Sequence, residues 1–231
     1  MAEQHPVGFQ WVMEAKERGA KIIYVDPRFT RTSAMADRHV AIRPGSDIAF
    51  LGGIVNYIFE HDAWFKEYVQ SYTNAPVLIR EDFVDAEDND GLFSGWDPEK
   101  GAYDTTSWGY DQTESGGGVS GEQAHGAHGM KLVRGDPPNC DPSMEHERSV
   151  LQITKRHFAR YTPHLVAELC GCSEEEFLAV ARALCENSGR ERTAAIVYAV
   201  GWTQRSARAG TRRLGDGHQC SVRGRGAGDG H

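Results

Sequence analysis

From residue 7 to 18, Val7, Trp11 and Ala15 recur four apart while Glu14, Lys16, Glu17 and Arg18 fill other positions, a pattern that predicts a helix with one apolar stripe and a stop at Gly19. Lys21-Ile22-Ile23-Tyr24-Val25 follows, a short β-branched run suited to a buried parallel strand, and Asp26-Pro27-Arg28 ends it. A second strand is expected at His39 to Ile42. Pro44-Gly45-Ser46-Asp47 then opens a helix through His61, with Ile48, Leu51, Val55, Ile58 and Phe59 at spacings of three and four and Ser46 or Asp47 as N-cap. Helix, strand and polar loop in this order predict an α/β fold.

From Asn74 to Glu145 the periodicity fades, and Glu114 to Gly135 is Gly-rich and of low complexity. Helical spacing returns at Ser149 to Tyr161, with Val150, Ile153, His157 and Phe158 on one face. Ser173 and Glu176 fit a capping box ahead of the stripe Phe177, Val180, Ala181 and Leu184. Thr193 to Val200 reads as a strand leading into Gly201-Trp202-Thr203-Gln204. The last 27 residues hold 6 Arg and 7 Gly with Leu214 and Val222 as their large aliphatics, so they form no amphipathic face and are expected to be disordered. The organisation expected is therefore 1–73, an α/β segment; 74–148, an irregular insertion; 149–204, helices and a strand; and 205–231, a tail.

Composition narrows the function. A net charge of -8 and a pI near 5.7 give no basic footprint for nucleic acid. No stretch of about 18 apolar residues suggests membrane insertion, and the first residues lack the basic flank and apolar run of an export signal, so the chain as given reads as soluble and cytoplasmic. Five cysteines, with Cys170 and Cys172 the nearest pair, make no disulfide framework and no zinc or iron-sulfur spacing; they read as buried thiols, and no metal ligand is assigned.

The strongest chemical signal is the pair of loops Asp26-Pro27-Arg28 and Gly45-Ser46-Asp47. In α/β sheets ligands gather at the carboxyl ends of strands, and a helix N-terminus offers N–H groups to an anion. An Asp there can accept from the ring N–H and amine of guanine, and Arg28 can pair with phosphate. The same residues serve equally as turn and helix caps, and spacing does not separate the two readings.

Several ordered segments carry a resemblance. Met1-Ala2-Glu3-Gln4-His5-Pro6, Val25-Asp26-Pro27-Arg28-Phe29-Thr30-Arg31-Thr32-Ser33, Ala36-Asp37, Gly45-Ser46-Asp47-Ile48-Ala49, Phe93-Ser94-Gly95, Ser107-Trp108, Lys155 to Tyr161 and Tyr198 to Gln204 are similar to the catalytic subunits of molybdenum or tungsten formate dehydrogenases of the large respiratory type. The resemblance implies part of a Rossmann-like parallel-sheet domain of the molybdopterin oxidoreductase fold. It implies that Met1, Ala2 and Glu3 lie against a molybdopterin guanine dinucleotide, and that Asp26, Pro27, Arg28 and Thr30 with Gly45, Ser46 and Asp47 hold its guanosine end. Val200 and Gln204 match residues facing a second pterin. The implied partners are formate, an iron-sulfur electron-transfer subunit and a membrane cytochrome subunit, and many full-length relatives are periplasmic.

The departures set further expectations. The cysteines that hold a [4Fe-4S] cluster and the selenocysteine or cysteine on the metal have no counterpart in this chain, so no catalytic residue is assigned and the isolated chain is expected to be inactive. Arg205 onward matches none of the family pattern, as a frameshift after Gln204 would produce, and an internal methionine would explain the start at Met1. The alternative is a stand-alone nucleotide- or protein-binding α/β module without redox activity.

Overall fold

The computed structural model describes residues 1–111, 138–189 and 191–198. Two compact units divide it: Met1–Ala63 together with the described residues from Phe158 on, and the described residues of Trp64–His157.

The first unit has an α/β start and a helical core. Helix α1 spans Pro6–Glu17, with Pro6 in its first turn, where a missing N–H costs nothing. It closes as expected at Gly19, whose φ of +99° carries the left-handed residue of a Schellman motif: Gly19 N–H donates to the Lys16 carbonyl and Ala20 N–H to that of Ala15. Its orientation differs from the expected one. Val7, Trp11 and Ala15 are exposed, and Phe9 is the buried residue. Spacing of four defined a stripe, but Phe9 lies on the other side of it, and the fold covers that side while the larger Trp11 stays exposed.

Strand β1 (Ile23–Val25) pairs in parallel with β2 (Arg38–Val40), Ile23 opposite Arg38, Tyr24 opposite His39 and Val25 opposite Val40. The five-residue helix α2 (Arg31–Met35) lies in the crossover between them. The strands are shorter than the runs 21–25 and 39–42 suggested, and β1 is half-buried rather than buried.

Helix α3 (Asp47–Glu60) is the centre of this unit. The stripe Ile48, Leu51, Val55, Ile58 and Phe59 is not its most buried face: Leu51 and Ile58 pack half-buried against the core, but Ile48 is exposed, and Ala49, Phe50, Gly52, Gly53, Ile54 and Asn56 are buried. The glycines cause the offset. A Cβ on Gly52 would lie 2.7 Å from the Tyr161 ring, and one on Gly53 would lie 2.5 Å from Val166 and 2.8 Å from Phe177. Where side chains vanish, the backbone approaches its neighbours most closely, so the smallest residues mark the contact.

Those neighbours are α6 (Pro163–Cys170) and α7 (Glu174–Glu186). The second starts with the expected capping box: Ser173 Oγ accepts from Glu176 N–H at 3.1 Å, and Glu176 Oε2 accepts from Ser173 N–H at 2.9 Å. Phe177, Val180 and Ala181 are buried as expected, with Leu184 packed beside them. Helix α6 was not foreseen, although Thr162 caps it through Leu165 N–H, Pro163 occupies its first turn and Gly171 ends it at φ +75°. Cys170 and Cys172 belong to the core formed by these helices with Val40, Ile42 and Phe50. Residues 193–198, expected as a strand, form none, and Ile196, Val197 and Tyr198 are exposed; an extended run is a strand only when a neighbour accepts its hydrogen bonds.

Among its described residues the second unit has few regular elements, but it is organised. It contains α4 (Lys66–Tyr72), the hairpin β3 (Trp96–Asp97) with β4 (Ala102–Tyr103), and α5 (Val150–Phe158), which crosses its boundary by one residue. Isolated bridges join Val77 to Cys140, Leu78 to Ser149 and Ile79 to Tyr110. On α5 the buried residue is Leu151 rather than the expected Val150, Ile153, His157 and Phe158 face. Buried polar groups are paired. Ser94 and Ser107 hydroxyls meet at 2.6 Å, Ser94 Oγ accepts from Val84 N–H, and Trp108 Nε1 donates to the Ser94 carbonyl at 2.8 Å. Asp85, 6 % exposed, accepts from Arg156 Nε and Nη2 at 3.0 and 2.8 Å.

Three outcomes follow from this packing. Gly53→Ala should destabilise the first unit by about 1–3 kcal/mol, because the added methyl must displace Val166 and Phe177; thermal melting measures it. Asp85→Ala should cost about 1–3 kcal/mol by the same measurement, as it removes a buried carboxylate that accepts two charge-assisted hydrogen bonds from the exposed Arg156 guanidinium. Burial raises the Cys170 thiol to about 11 against an ordinary 9.0, opposed by its hydrogen bond to the Ser46 carbonyl. The folded form therefore keeps a proton that the unfolded chain releases, so the contribution is intact below pH 9 and is lost as pH rises toward 11; denaturant melts at pH 8, 9 and 10.5 should show it, reduced in Cys170→Ala.

Candidate functional site

The two loops singled out in the sequence leave the same edge of the parallel pair. Val25 and Val40 are opposite each other at the strand ends, and Asp26 N–H donates to the Val40 carbonyl at 3.1 Å. Asp26 thus sits on the rim beside the segment that runs on to Gly45.

Within the first loop Asp26 anchors a turn. Its Oδ1 accepts from Arg28 N–H at 2.7 Å, its Oδ2 accepts from the Tyr24 hydroxyl at 3.1 Å, and its carbonyl lies 3.0 Å from His39 Nε2. Partial burial raises the Tyr24 phenol above its ordinary range, against the hydrogen bond with Thr30, and the charge of Asp26 adds to the rise. The phenol therefore stays protonated and donates to the carboxylate. Pro27, Arg28 and Phe29 are exposed, and Phe29 meets the His39 ring edge-on at 5.4 Å between centroids. Thr30 opens α2, where its N–H donates to Ser33 Oγ at 2.8 Å.

Met1, Ala2 and Glu3 are brought to this loop by α2. The nitrogens of Met1 and Ala2 both donate to Thr32 Oγ1, at 3.1 and 3.0 Å, and Arg31 Nε is 3.3 Å from Glu3 Oε1. Thr32 is buried, so one hydroxyl holds two main-chain donors at a shielded point. Neither Thr32 nor Tyr24 was singled out by sequence reasoning; no spacing rule connects residue 1 to residue 32.

The second loop is built differently from a simple helix cap. Gly45 has φ +92°, and Ser46 occupies the N-cap position of α3 without capping it. Its hydroxyl donates to the Arg43 carbonyl at 2.7 Å, and its N–H donates to the same oxygen at 3.2 Å. The turn is closed on itself, and the Ser46 side chain is directed away from the first-turn N–H groups of the helix. Asp47, half-buried, begins α3, where a carboxylate complements the helix dipole. The structure thus brings Met1, Ala2, Glu3, Asp26, Pro27, Arg28 and Thr30 into one neighbourhood, while Gly45, Ser46 and Asp47 follow the second strand of the pair. Val200 and Gln204 lie outside the described residues.

Among the described residues no three His, Cys, Asp or Glu side chains are grouped to hold a metal ion. Cys140 is exposed and donates to the Pro138 carbonyl. No helix among the described residues is long and apolar enough to cross a membrane.

No protein-family profile matches the chain. Individual proteins do. The Formate dehydrogenase-O major subunit of Escherichia coli (strain K12) is 42 % identical over 209 residues, which are 90 % of this chain and 18 % of that protein. The Formate dehydrogenase 2 subunit alpha (cytochrome c-553) of Nitratidesulfovibrio vulgaris is 41 % identical over 203 residues, 88 % of this chain and 18 % of the relative. A Periplasmic nitrate reductase of Desulfovibrio desulfuricans matches over a shorter stretch, 39 % identical over 97 residues. Among solved structures, Acetylene Hydratase from Pelobacter acetylenicus superposes on 77 % of this chain and 14 % of its own with a TM-score of 0.40 and 18 % identity, a likeness too low to carry an argument. The chain spans less than a fifth of the length of the formate dehydrogenase subunits it matches. At about two residues in five identical over nine-tenths of its length, it belongs to the family of formate dehydrogenase major (alpha) subunits, as a segment of a molybdopterin oxidoreductase catalytic subunit.

Proposed function

We propose that the chain supplies part of the binding surface for a molybdopterin guanine dinucleotide in a formate dehydrogenase catalytic subunit, which oxidises formate to carbon dioxide. The observation that carries this reading is that the Asp26–Thr30 loop and the segment leading to the Gly45–Asp47 turn both follow the carboxyl ends of a parallel strand pair, with Met1–Glu3 pinned beside the first loop through Thr32. Two parallel strands joined across α2 and continued by α3 are consistent with a Rossmann-like unit, in which ligands sit at the carboxyl ends of strands.

The donor set suits the nucleotide end of such a group. Asp26 offers acceptor oxygens to the guanine N–H and amine, and the Tyr24 hydroxyl and Arg28 N–H hold that carboxylate in one orientation. Arg28, exposed beside it, suits a phosphate. The Gly45-Ser46 turn delivers the chain into the α3 N-terminus, where anions are favoured, and Asp47 is the second acceptor for the base. When bound, the cofactor with molybdenum or tungsten supplies the two-electron acceptor for the reaction. Val200 and Gln204 complete the surface toward a second pterin. In this reading residues 1–73 carry the cofactor loops, 74–148 form an insertion, 149–204 return the chain to the cofactor and 205–231 contribute nothing to it. An iron-sulfur subunit and a membrane cytochrome subunit are the partners of the whole complex.

The test replaces the matching segment of the full-length Escherichia coli relative with residues 1–198 of this chain. Guanine nucleotide extracted per subunit should match the parent, and Asp26→Asn should lower it by roughly tenfold, since a donor then faces the guanine amine. Full occupancy in that variant would return Asp26 to a turn anchor, and a different nucleotide in the extract would favour a stand-alone binding module. The isolated chain should give no formate-dependent dye reduction.

A further inference from the structure

Arg43 connects the candidate turn to a distant part of the chain. Its guanidinium lies over the C-terminus of α6: Nη1 donates to the Glu168 carbonyl at 2.6 Å and is 3.4 Å from that of Leu169, while the Arg43 main-chain N–H donates to the Cys170 carbonyl at 2.7 Å. Three of the last carbonyls of α6, which have no acceptor role within the helix, are thereby taken up by one residue. A cation at this end of a helix is also favoured by the dipole. In the opposite direction, Cys170 Sγ donates to the Ser46 carbonyl at 3.6 Å, and the Arg43 carbonyl receives both the hydroxyl and the N–H of Ser46.

Gly171 makes this arrangement possible. It holds φ +75°, and a Cβ there would lie 3.0 Å from Arg43 Nε and 3.2 Å from its Cγ. The side chain crosses the helix end through the space that the glycine leaves. None of these contacts involves the loop at Asp26, so they bear on the second loop alone.

The geometry points to Arg43 as a positioning residue: by clamping the C-terminus of α6 it sets the Pro44–Ser46 turn and the start of α3, without itself belonging to the nucleotide-contacting set. This deepens the nucleotide reading and rests on it for the consequence in binding, but the clamp itself is a statement about the turn. Helix α6 then works as a strut, seated against α3 at Gly53 at one point and gripping the turn at its end. The Pro44–Ser46 turn is tied to the core from both sides.

The test uses the full 231-residue chain and reads amide exchange by NMR together with binding of guanosine diphosphate as probe. In Arg43→Met, exchange at Ser46, Phe50 and Gly171 should rise by roughly tenfold, the scale of one lost charge-assisted hydrogen bond, while Asp26 and Phe177 are unchanged. Arg43→Lys, which keeps a charge and a donor at the helix end, should recover most of the protection. Gly171→Ala, which leaves Arg43 in place but crowds it, should raise exchange at the same three amides. Guanosine diphosphate affinity should fall severalfold in Arg43→Met and recover in Arg43→Lys, a split that general loss of stability would not produce. Exchange that is unchanged at these amides, or that rises equally at Asp26 and Phe177, would overturn the assignment. Failure of the unsubstituted chain to bind the probe, with the localised exchange response intact, would overturn the nucleotide reading and leave the clamp standing.

Discussion

The first unit depends on how closely α3 can approach the helices behind it. Gly52 and Gly53 place bare backbone against Tyr161, Val166 and Phe177, and Asn56 Nδ2 adds a buried hydrogen bond to the Tyr161 carbonyl at 3.4 Å one turn later. Phe50 and Phe177 meet edge to face at 5.4 Å on the same side. This dense contact fills the core without strain because side-chain volume is supplied from one side only. Since α3 begins at the Gly45–Asp47 turn, the placement of that turn is inherited from the glycine contact, and the end of α6 then holds the turn directly.

The second unit meets a different constraint. Among its described residues two short strands and three isolated bridges are formed, and most of that main chain is not satisfied by regular ladders. Side chains take over: Ser94 accepts from Val84 N–H, Asp141 accepts from the N–H groups of Ser143, Glu145 and His146, and Arg148 donates to the Ile79 carbonyl. The Ser143 hydroxyl and these N–H groups hold the Asp141 carboxyl at about 2, well below its usual range. Two segments that carry the family resemblance, Phe93-Ser94-Gly95 and Ser107-Trp108, meet here, so their chemistry is that of a buried polar knot.

At the candidate site the residues divide by what their polar groups already do. Thr32 and Tyr24 are committed to holding main chain and carboxylate, whereas Arg28 and Phe29 project outward. The pinned groups give the loop its shape, and the outward ones are available to a ligand or to further protein. Without the Thr32 hydroxyl the first residues would have no polar tie to α2 beyond Arg31 and Glu3.

Local signals were legible in the sequence because they act over a few residues. Gly19 ends α1, Ser173 and Glu176 cap α7, and the loops at Asp26 and Gly45 follow or precede regular structure as the pattern required. Helix α6 also announced itself through Thr162, Pro163 and Gly171, signals that were present but brief. Which face is buried was decided by tertiary structure. Periodicity gives the spacing of apolar residues, but in α1 more than one stripe was available, and in α3 the glycines drew the contact away from the largest side chains. The strand expected at 193–200 shows the same limit, since its described part finds no neighbour to complete its hydrogen bonds. The ties of Met1 to Thr32 and of Arg43 to Glu168 span 31 and 125 residues, and such pairings come into being only when packing brings a donor and an acceptor to the same place.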